Sequence, residues 1–379
     1  MAKIGLCLIA KNEAHVIRQC LDSVAPLVDF VLISDTGSTD GTQDVCRAWM
    51  SERQIEGVLC SDAWVDFASN RNRALERLRE YPAVDYALIM DADDLLTLKP
   101  STDVASLKAG LDADVYMVEI SDAGVRYDRP HLISNRTGHY YRGVLHEFLQ
   151  SPQEAIRGKL AGVVIQSRRL GDRSRDLEKY QKDAQLLEAA LWTETDEFMR
   201  FRYFFYLGQS YKDAGDTHKA IVNYRARAEK GFWNDEIFIS LYQIAQLMEA
   251  AAYPDDDVIK AYLAAADCDP RRAEPLHGAA RFCRLKERHE QGYHLALRGL
   301  AIEKPASGLF VENWVYDHSL LDELSILAYW SGRYKESLDA CVDLMLSDTF
   351  PPDQMDRLKM NAKFARIKVL PAWRSALSA

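Results

Sequence analysis

Over the first 170 residues, short apolar runs alternate with stretches of helical spacing, and the apolar runs give out near residue 172. Ile4–Ala10 has no charged position, which predicts a strand buried on both faces. Glu13–Val24 follows with Val16, Ile17, Leu21 and Val24 on one helical stripe. Asp29–Ser34 predicts a second strand, ending in the turn-rich run Asp35-Thr36-Gly37-Ser38-Thr39-Asp40-Gly41-Thr42. A helix through Met50 comes next, capped by a Ser, Thr or Asp of that run. Val58–Cys60 and Tyr86–Met90 predict two more strands with a helix over Asn70–Arg79 between them, and Val115–Ile120 and Gly162–Ile165 are also strand-like. Strands alternating with helices predict an α/β fold, a mostly parallel sheet covered on both faces. In such sheets ligands bind beyond the carboxyl ends of the strands. Here those ends hold Lys11-Asn12-Glu13, Asp35 to Asp40 and Asp91 to Asp94.

Residues 175–379 are rich in Ala, Leu, Tyr and Glu, with long helical patterns broken at Gly or Pro. Phe204, Leu207, Gly208, Tyr211, Ala220 and Tyr224 fall at the offsets of a tetratricopeptide (TPR) repeat, and a 34-residue shift lands on Phe238, Leu241 and Ala245. Two degenerate helical pairs follow, around Leu276–Ile302 and Leu324–Leu346. The expected organisation is an α/β domain over 1–171, a linker helix over 172–195 and an all-α TPR-like helical-repeat domain over 196–379. Small residues such as Gly208 and Ala220 have a packing reason, because stacked helices leave no room for larger ones.

Composition narrows the possibilities. A length of 379 residues with 48% hydrophobic and 27% charged side chains suits about two globular domains. The net charge of -10 is shared evenly by the first 170 residues and the rest, so neither part has a basic excess, which argues against a nucleic-acid partner. Seven scattered cysteines without a C-x-x-C pair fit reduced thiols. The N-terminal apolar run is too short for a membrane span and lacks a cleavage region. A soluble, cytoplasmic protein is the expectation.

Among the candidate motifs, Asp91-Ala92-Asp93 at a strand end is the most informative. Two carboxylates one residue apart suit a hard divalent cation bridged to a diphosphate, with Mg2+ or Mn2+ keeping open positions for phosphate oxygens. The Asp35 run is first of all a strand-to-helix turn. Its carboxylate could also accept a hydrogen bond from a nucleobase or ribose. The run lacks the Lys of a P-loop and the spacing of a dinucleotide fingerprint.

Taken in order, Lys11-Asn12-Glu13 after a strand, the Asp35–Thr42 run, Asp66-Phe67 before Arg71-Asn72, Asp91-Ala92-Asp93-Asp94 and Gly143-Val144-Leu145-His146-Glu147 resemble glycosyltransferase family 2, of the Rossmann-like GT-A fold. One branch of that family also carries helical repeats. The resemblance implies an inverting, hexosyltransferase-type enzyme that moves a sugar from a nucleotide-sugar donor, usually a UDP-sugar, with Mn2+ or Mg2+. By motif, Asp35 would contact the base, Arg71 the base or diphosphate, and Asp91 the ribose or sugar. Ala10, Lys11, Asn12, Glu13 and Ala92 would line the nucleotide-sugar pocket. Asp93 would ligate the metal, with His146 completing that site or touching the diphosphate. Many relatives with repeats have a histidine after the closing strand. Here Gln166-Ser167-Arg168-Arg169 stands there, leaving Arg168 or Arg169 to meet the diphosphate.

The chemistry needs a cation and a nearby arginine to stabilise the leaving diphosphate, and a base to take the acceptor's proton. Glu147 is the first candidate base and Asp122, beyond Val115–Ile120, the second. His131, His139 and Arg142 could line the acceptor entrance. The repeats suggest a protein or peptide acceptor. Two alternatives stay open: a non-enzymatic TPR adaptor with a degenerate first domain, and a nucleotidyltransferase on a related sheet.

Overall fold

The computed structural model describes residues 1–122, 125–136 and 138–376, and its contacts divide the chain into two units, Met1–Trp192 and Thr193–Ala379. In the first unit the elements are β1 (Ile4–Ala10), α1 (Ile17–Val24), β2 (Phe30–Asp35), α2 (Thr42–Arg53), β3 (Glu56–Ser61), α3 (Phe67–Arg79), β4 (Tyr86–Ile89), β5 (Leu95–Leu98) and α4 (Val104–Ala109). They continue with β6 (Val115–Asp122), β7 (Val125–Ser134), β8 (Tyr140–Arg142), β9 (Phe148–Gln150), β10 (Arg157–Ser167), a short 3-10 turn over Asp172–Arg175, and α5 (Lys179–Thr193).

Eight of these strands form one sheet in the order β3-β2-β1-β4-β7-β6-β10-β5, while β8 and β9 pair apart from it. The half from β3 to β4 is wholly parallel, and β6 runs parallel to β10; β7 is antiparallel to both β4 and β6, and β5 to β10. Reversal through β7 leaves β6 and β10 pointing the same way as β1 to β4. Six carboxyl ends therefore lie along one edge. The mostly parallel α/β sheet expected from the sequence is present.

Burial explains the central strands. Along β1, Ile4, Leu6, Leu8 and Ala10 enter one apolar cluster with Ile17, Leu21 and Val24 of α1 and Cys46 and Trp49 of α2, while Cys7 enters a second with Ala74, Leu75 and Leu78 of α3. Alternating side chains of β2 and β4 divide between the same clusters, so each strand is apolar on both faces. Accordingly, α1 and α2 cover one face and α3 the other.

Two local departures have clear causes. The first turn expected at Glu13 is not helical: Val16 departs from helical angles (φ -127°, ψ -30°), the Glu13 and Ala14 N–H groups are tied to Thr42 Oγ1 (2.8 Å) and Asp40 Oδ2 (3.0 Å), and α1 begins only at Ile17. Conversely, α3 begins earlier than Asn70, since Asp66 caps it by accepting from the Ser69 N–H at 2.7 Å.

Among the described residues the second unit is helical throughout: α6 (Glu197–Asp213), α7 (Thr217–Ala228), α8 (Asn234–Ala250), α9 (Asp255–Cys268), α10 (Glu274–Leu285), α11 (His289–Leu300), a π-turn over Val315–Ser319, α12 (Leu320–Trp330), α13 (Tyr334–Leu346), a 3-10 turn over Pro352–Gln354 and α14 (Met355–Ala376). Successive helices pack pairwise as hairpins, as the TPR-like reading expects. Gly208 shows why its position is small. A Cβ there would lie 2.6 Å from the ring of Tyr224, which is fully buried. Tyr203, Tyr211 and Tyr242 are likewise core, whereas Phe232 and Trp233 stay 54% and 40% exposed. No helix among the described residues is long and apolar enough to cross a membrane.

Candidate active site at the carboxyl edge of the sheet

The edge is built outward from β1 and β2. Thr36 ties them by donating its N–H to Ala10 O at 2.8 Å. Just beyond, Asn12 adopts the left-handed region (φ 57°), donates its N–H to Ser38 Oγ (2.9 Å) and accepts the Thr39 N–H at Oδ1 (2.9 Å). Ala10 is buried and Lys11 exposed. Asp35, fully buried, accepts at Oδ1 from Gly37 N–H (3.1 Å), Ser38 N–H (3.0 Å) and Gln43 Nε2 (2.8 Å). Burial pushes the carboxyl up, but these hydrogen bonds outweigh it and hold its pKa below the usual value. Its Oδ2 has no partner among the described residues, so one buried oxygen is left over at the strand end.

Next along the edge, β4 delivers Asp91, Ala92, Asp93 and Asp94. Arg71, the fifth residue of α3, donates Nη2 to Asp91 Oδ1 at 2.5 Å and Nε to Glu147 Oε1 at 2.7 Å. The Arg71 and Glu147 side chains are 10% and 13% exposed, whereas that of Asp91 is 57% exposed. Burial works against an ionised Asp91, and the Arg71 charge and hydrogen bond reverse it, holding the pKa low. The guanidinium also lies over the Tyr141 ring, 5.6 Å from its centroid. Asn72 fixes that region by donating Nδ2 to Tyr141 O (2.9 Å) and accepting the Tyr141 N–H (2.6 Å), which seats the β8–β9 hairpin and its Glu147 against α3. Ala92 is buried beside these acids.

Asp93 Oδ2 accepts the N–H groups of Leu170 (2.7 Å) and Gly171 (2.8 Å), and Asp93 O accepts Arg168 Nε (2.9 Å). Glu13 Oε1 accepts the Asp172 N–H at 3.2 Å, and its Oε2 is buried without a partner among the described residues. A Cβ on Gly171 would meet Glu13 Oε1 at 3.0 Å, so this glycine lets the chain pass between the two acids. Burial, partly offset by the Asp172 hydrogen bond, raises the Glu13 pKa to about 7. Burial and the charges of Asp91 and Asp93 raise Asp94 to about 8.

Other candidates stand further out. His146 is exposed, at φ 52°, on the loop between β8 and β9. Asp122 ends β6 and pairs with Arg169 (2.5 Å), while Arg168 reaches Gln19 Oε1 (2.6 Å) as well as Asp93 O. Both arginines thus bind protein groups in this structure. His131 Nδ1 lies 2.6 Å from Ile89 O, His139 is buried against Ser151, and Arg142 ends β8.

The sequence reading does not include Gln43, the side-chain donor to Asp35 directly after the Asp35–Thr42 run, or the backbone of 170–172. A polar residue facing back along α2 is a weak signal for the first. Nothing local marks the second. For a divalent cation, no group of three or more His, Cys, Asp or Glu is gathered among the described residues. An ion at this edge would have Asp93 and the neighbouring Asp91 to draw on, and phosphate oxygens and water would have to complete its shell.

Comparison with known proteins gives matches to both parts of the chain. The model of glycosyl transferase family 2 matches residues 6–174. A TPR repeat-containing protein of Synechococcus elongatus is 30% identical over 162 residues, 41% of this chain and 38% of that protein. An uncharacterized glycosyltransferase of Rickettsia felis is 26% identical over 117 residues, 31% of this chain and 38% of that one. The chain thus spans 38% of the length of each of these curated relatives. Among solved structures, a tetratricopeptide repeat protein of Parabacteroides merdae aligns with TM-score 0.37 at 15% identity, over 52% of this chain and 70% of that one. S. aureus TarS 1–349 aligns with TM-score 0.33 at 12% identity, over 68% and 83%. All of the sheet but the first two residues of β1, with its acids gathered at one edge, lies within residues 6–174, and that part of the chain matches the glycosyl transferase family 2 model.

Proposed function

We propose that the chain is an inverting glycosyltransferase that takes a sugar from a nucleotide-sugar donor, a UDP-sugar, and uses Mn2+ or Mg2+. The observation that carries this reading is the Arg71 bridge, which sets a guanidinium between the β4 acids and Glu147 at the ligand-binding edge. In the proposed mode the base packs beside Ala10 and Lys11, with the unpartnered Asp35 Oδ2 accepting its N–H. Asn12 and Glu13 shape the same wall. The exposed Asp91 carboxylate accepts from the ribose or sugar hydroxyls, with Ala92 close beneath. Arg71 stabilises negative charge as the diphosphate leaves, an effect typically worth several kcal/mol in a water-poor site, roughly 3–4 per well-placed donor.

Asp93 would hold the divalent ion, with His146 as the second candidate ligand; when bound, the ion supplies Lewis-acid stabilisation of the diphosphate. Glu147 is the proposed base for the acceptor hydroxyl, and Asp122 its alternate. Release of either from its arginine, by movement of the guanidinium onto phosphate, frees a carboxylate oxygen for that proton. The helical-repeat unit would hold a protein or peptide acceptor. A relic adaptor is the less economical reading, because such a chain has no need to keep a buried carboxylate oxygen unpaired at Asp35.

Incubating the full-length protein with a panel of UDP-sugars, with and without cell extract as acceptor source, and reading products by mass spectrometry tests the proposal. Hydrolysis or transfer of one UDP-sugar, lost in Asp91→Ala, supports it. A nucleotidyltransferase would instead release pyrophosphate from UTP and a sugar phosphate.

A further inference from the structure

The helical-repeat unit holds a cavity of about 560 Å³, separate from the acids described above, where the connections α7–α8, α9–α10 and α11–α12 meet at one end of the hairpin stack. Its size falls in the ~300–1,000 Å³ range of small-molecule sites. Trp233, Asp235, Asp269, Arg271 and Arg272 form much of the wall, and residues 305–309 close it.

This wall is pinned from behind. Arg272, 4% exposed, is held by the fully buried Glu274 (Nε to Oε2 3.0 Å, Nη2 to Oε1 2.8 Å). It donates Nη1 to Leu309 O at 3.2 Å and stacks over the Phe238 ring at 4.4 Å. Glu274 also accepts the Glu312 N–H (3.2 Å) and the Tyr316 hydroxyl (2.7 Å). The Leu309 end of the 305–309 connection is therefore tethered before any ligand arrives, which lowers the ordering cost of binding.

Both cations on the wall are already matched. Arg271 pairs with Asp269 (2.9 Å) and Arg272 with Glu274, so an anion would find no unpaired cation there. Asp235 Oδ2 accepts the Leu309 N–H (2.9 Å), which leaves its other oxygen as an acceptor on the wall. The Trp233 indole, 40% exposed, has no ring or hydrogen-bond partner among the described residues, and exposed Phe232 and Phe310 flank the wall in sequence. An aromatic face with negative quadrupole attracts the C–H face of a sugar ring, while carboxylate and guanidinium edges suit neighbouring hydroxyls. An uncharged, polyhydroxylated ligand satisfies both the aromatic and the polar walls.

We propose that this cavity binds a neutral saccharide, with Trp233 stacking on a ring face and Asp235 accepting from its hydroxyls. The assignment does not rest on the transferase reading, and it is tested without nucleotide. Saturation-transfer NMR on the full-length protein would use maltose, cellobiose, lactose and N,N′-diacetylchitobiose one at a time at millimolar concentration. At least one should bind, with affinity falling about tenfold in Trp233→Ala and severalfold in Asp235→Asn. Both side chains reach the surface. The Asn variant keeps an acceptor for Leu309, so it serves even where the Ala variant disturbs α8. If no disaccharide of the panel binds, or if both variants bind as tightly as the parent, the proposal is overturned. It is equally overturned if the peptide Gly-Ser-Gly-Ser binds in place of every sugar and is lost in Trp233→Ala.

Discussion

Arg71 donates Nη2 to Asp91 Oδ1 at 2.5 Å, and the same guanidinium holds Glu147 through Nε at 2.7 Å. One planar fork thus orders two carboxylates from elements 56 positions apart in the chain, a task that a lysine ammonium cannot copy. Arg71→Lys should leave the fold intact and cut kcat by roughly 10²–10³, the range for loss of one charge-stabilising donor. Steady-state kinetics on the active UDP-sugar checks this. A kcat within twofold of the parent would remove Arg71 from the diphosphate site.

Asp35 separates two roles on its two oxygens. Oδ1 anchors the turn through three donors, and Oδ2, without a partner among the described residues, is the oxygen that the proposed mode gives to a base. Asp35→Asn keeps an acceptor for the turn and should weaken UDP binding about tenfold, with Tm little changed. Asp35→Ala removes the turn anchor as well and should also cost about 1–2 kcal/mol of stability, measured by denaturant unfolding.

In the helical unit, Gly208→Ala sets helix propensity against packing. Alanine gains about 1 kcal/mol in a helix interior, but its Cβ would sit 2.6 Å from the buried Tyr224 ring. Overpacking costs about 1–3 kcal/mol, so the net effect should be a fall in Tm. A rise would mean that Tyr224 can move aside at little cost.

His277 supplies a pH dependence. Burial first, then the charges of Arg281 and Arg284, lower its pKa to about 4. Unfolded, the imidazole returns to about 6.5 and binds a proton over the interval that the folded one does not. Stability is therefore unaffected by this group above pH ~6.5 and declines as pH falls from there toward 4. The loss reaches about 2 kcal/mol at pH 5. Urea unfolding of the parent and of His277→Gln at pH 7 and pH 5 should show a smaller difference between the two pH values in the variant.

Much of this was legible along the chain, unevenly. Strand β1 was readable to the residue because Ile4–Ala10 is buried on both faces and needs no alternation. Gly208 could be placed because TPR packing has a fixed period. The antiparallel strands beside the parallel core were not separable: β5 follows directly on the acid run, and β7 alternates charged residues with Pro130 opposite a register shift. Of the candidate site, Asp35, Asp91 and Asp93 announce themselves at strand ends. The hold of Asp93 on Leu170 and Gly171 spans 77 and 78 residues, and no local pattern carries it.

Asp93 and its neighbours at the β4 end are proposed to bind a nucleotide diphosphate with a divalent ion. Calorimetric titration of UDP into the full-length protein, with Mn2+ and again with EDTA, tests it most directly. UDP should bind only when Mn2+ is present, and Asp93→Ala should abolish that binding. UDP binding of equal strength in EDTA, or in the variant, would contradict it.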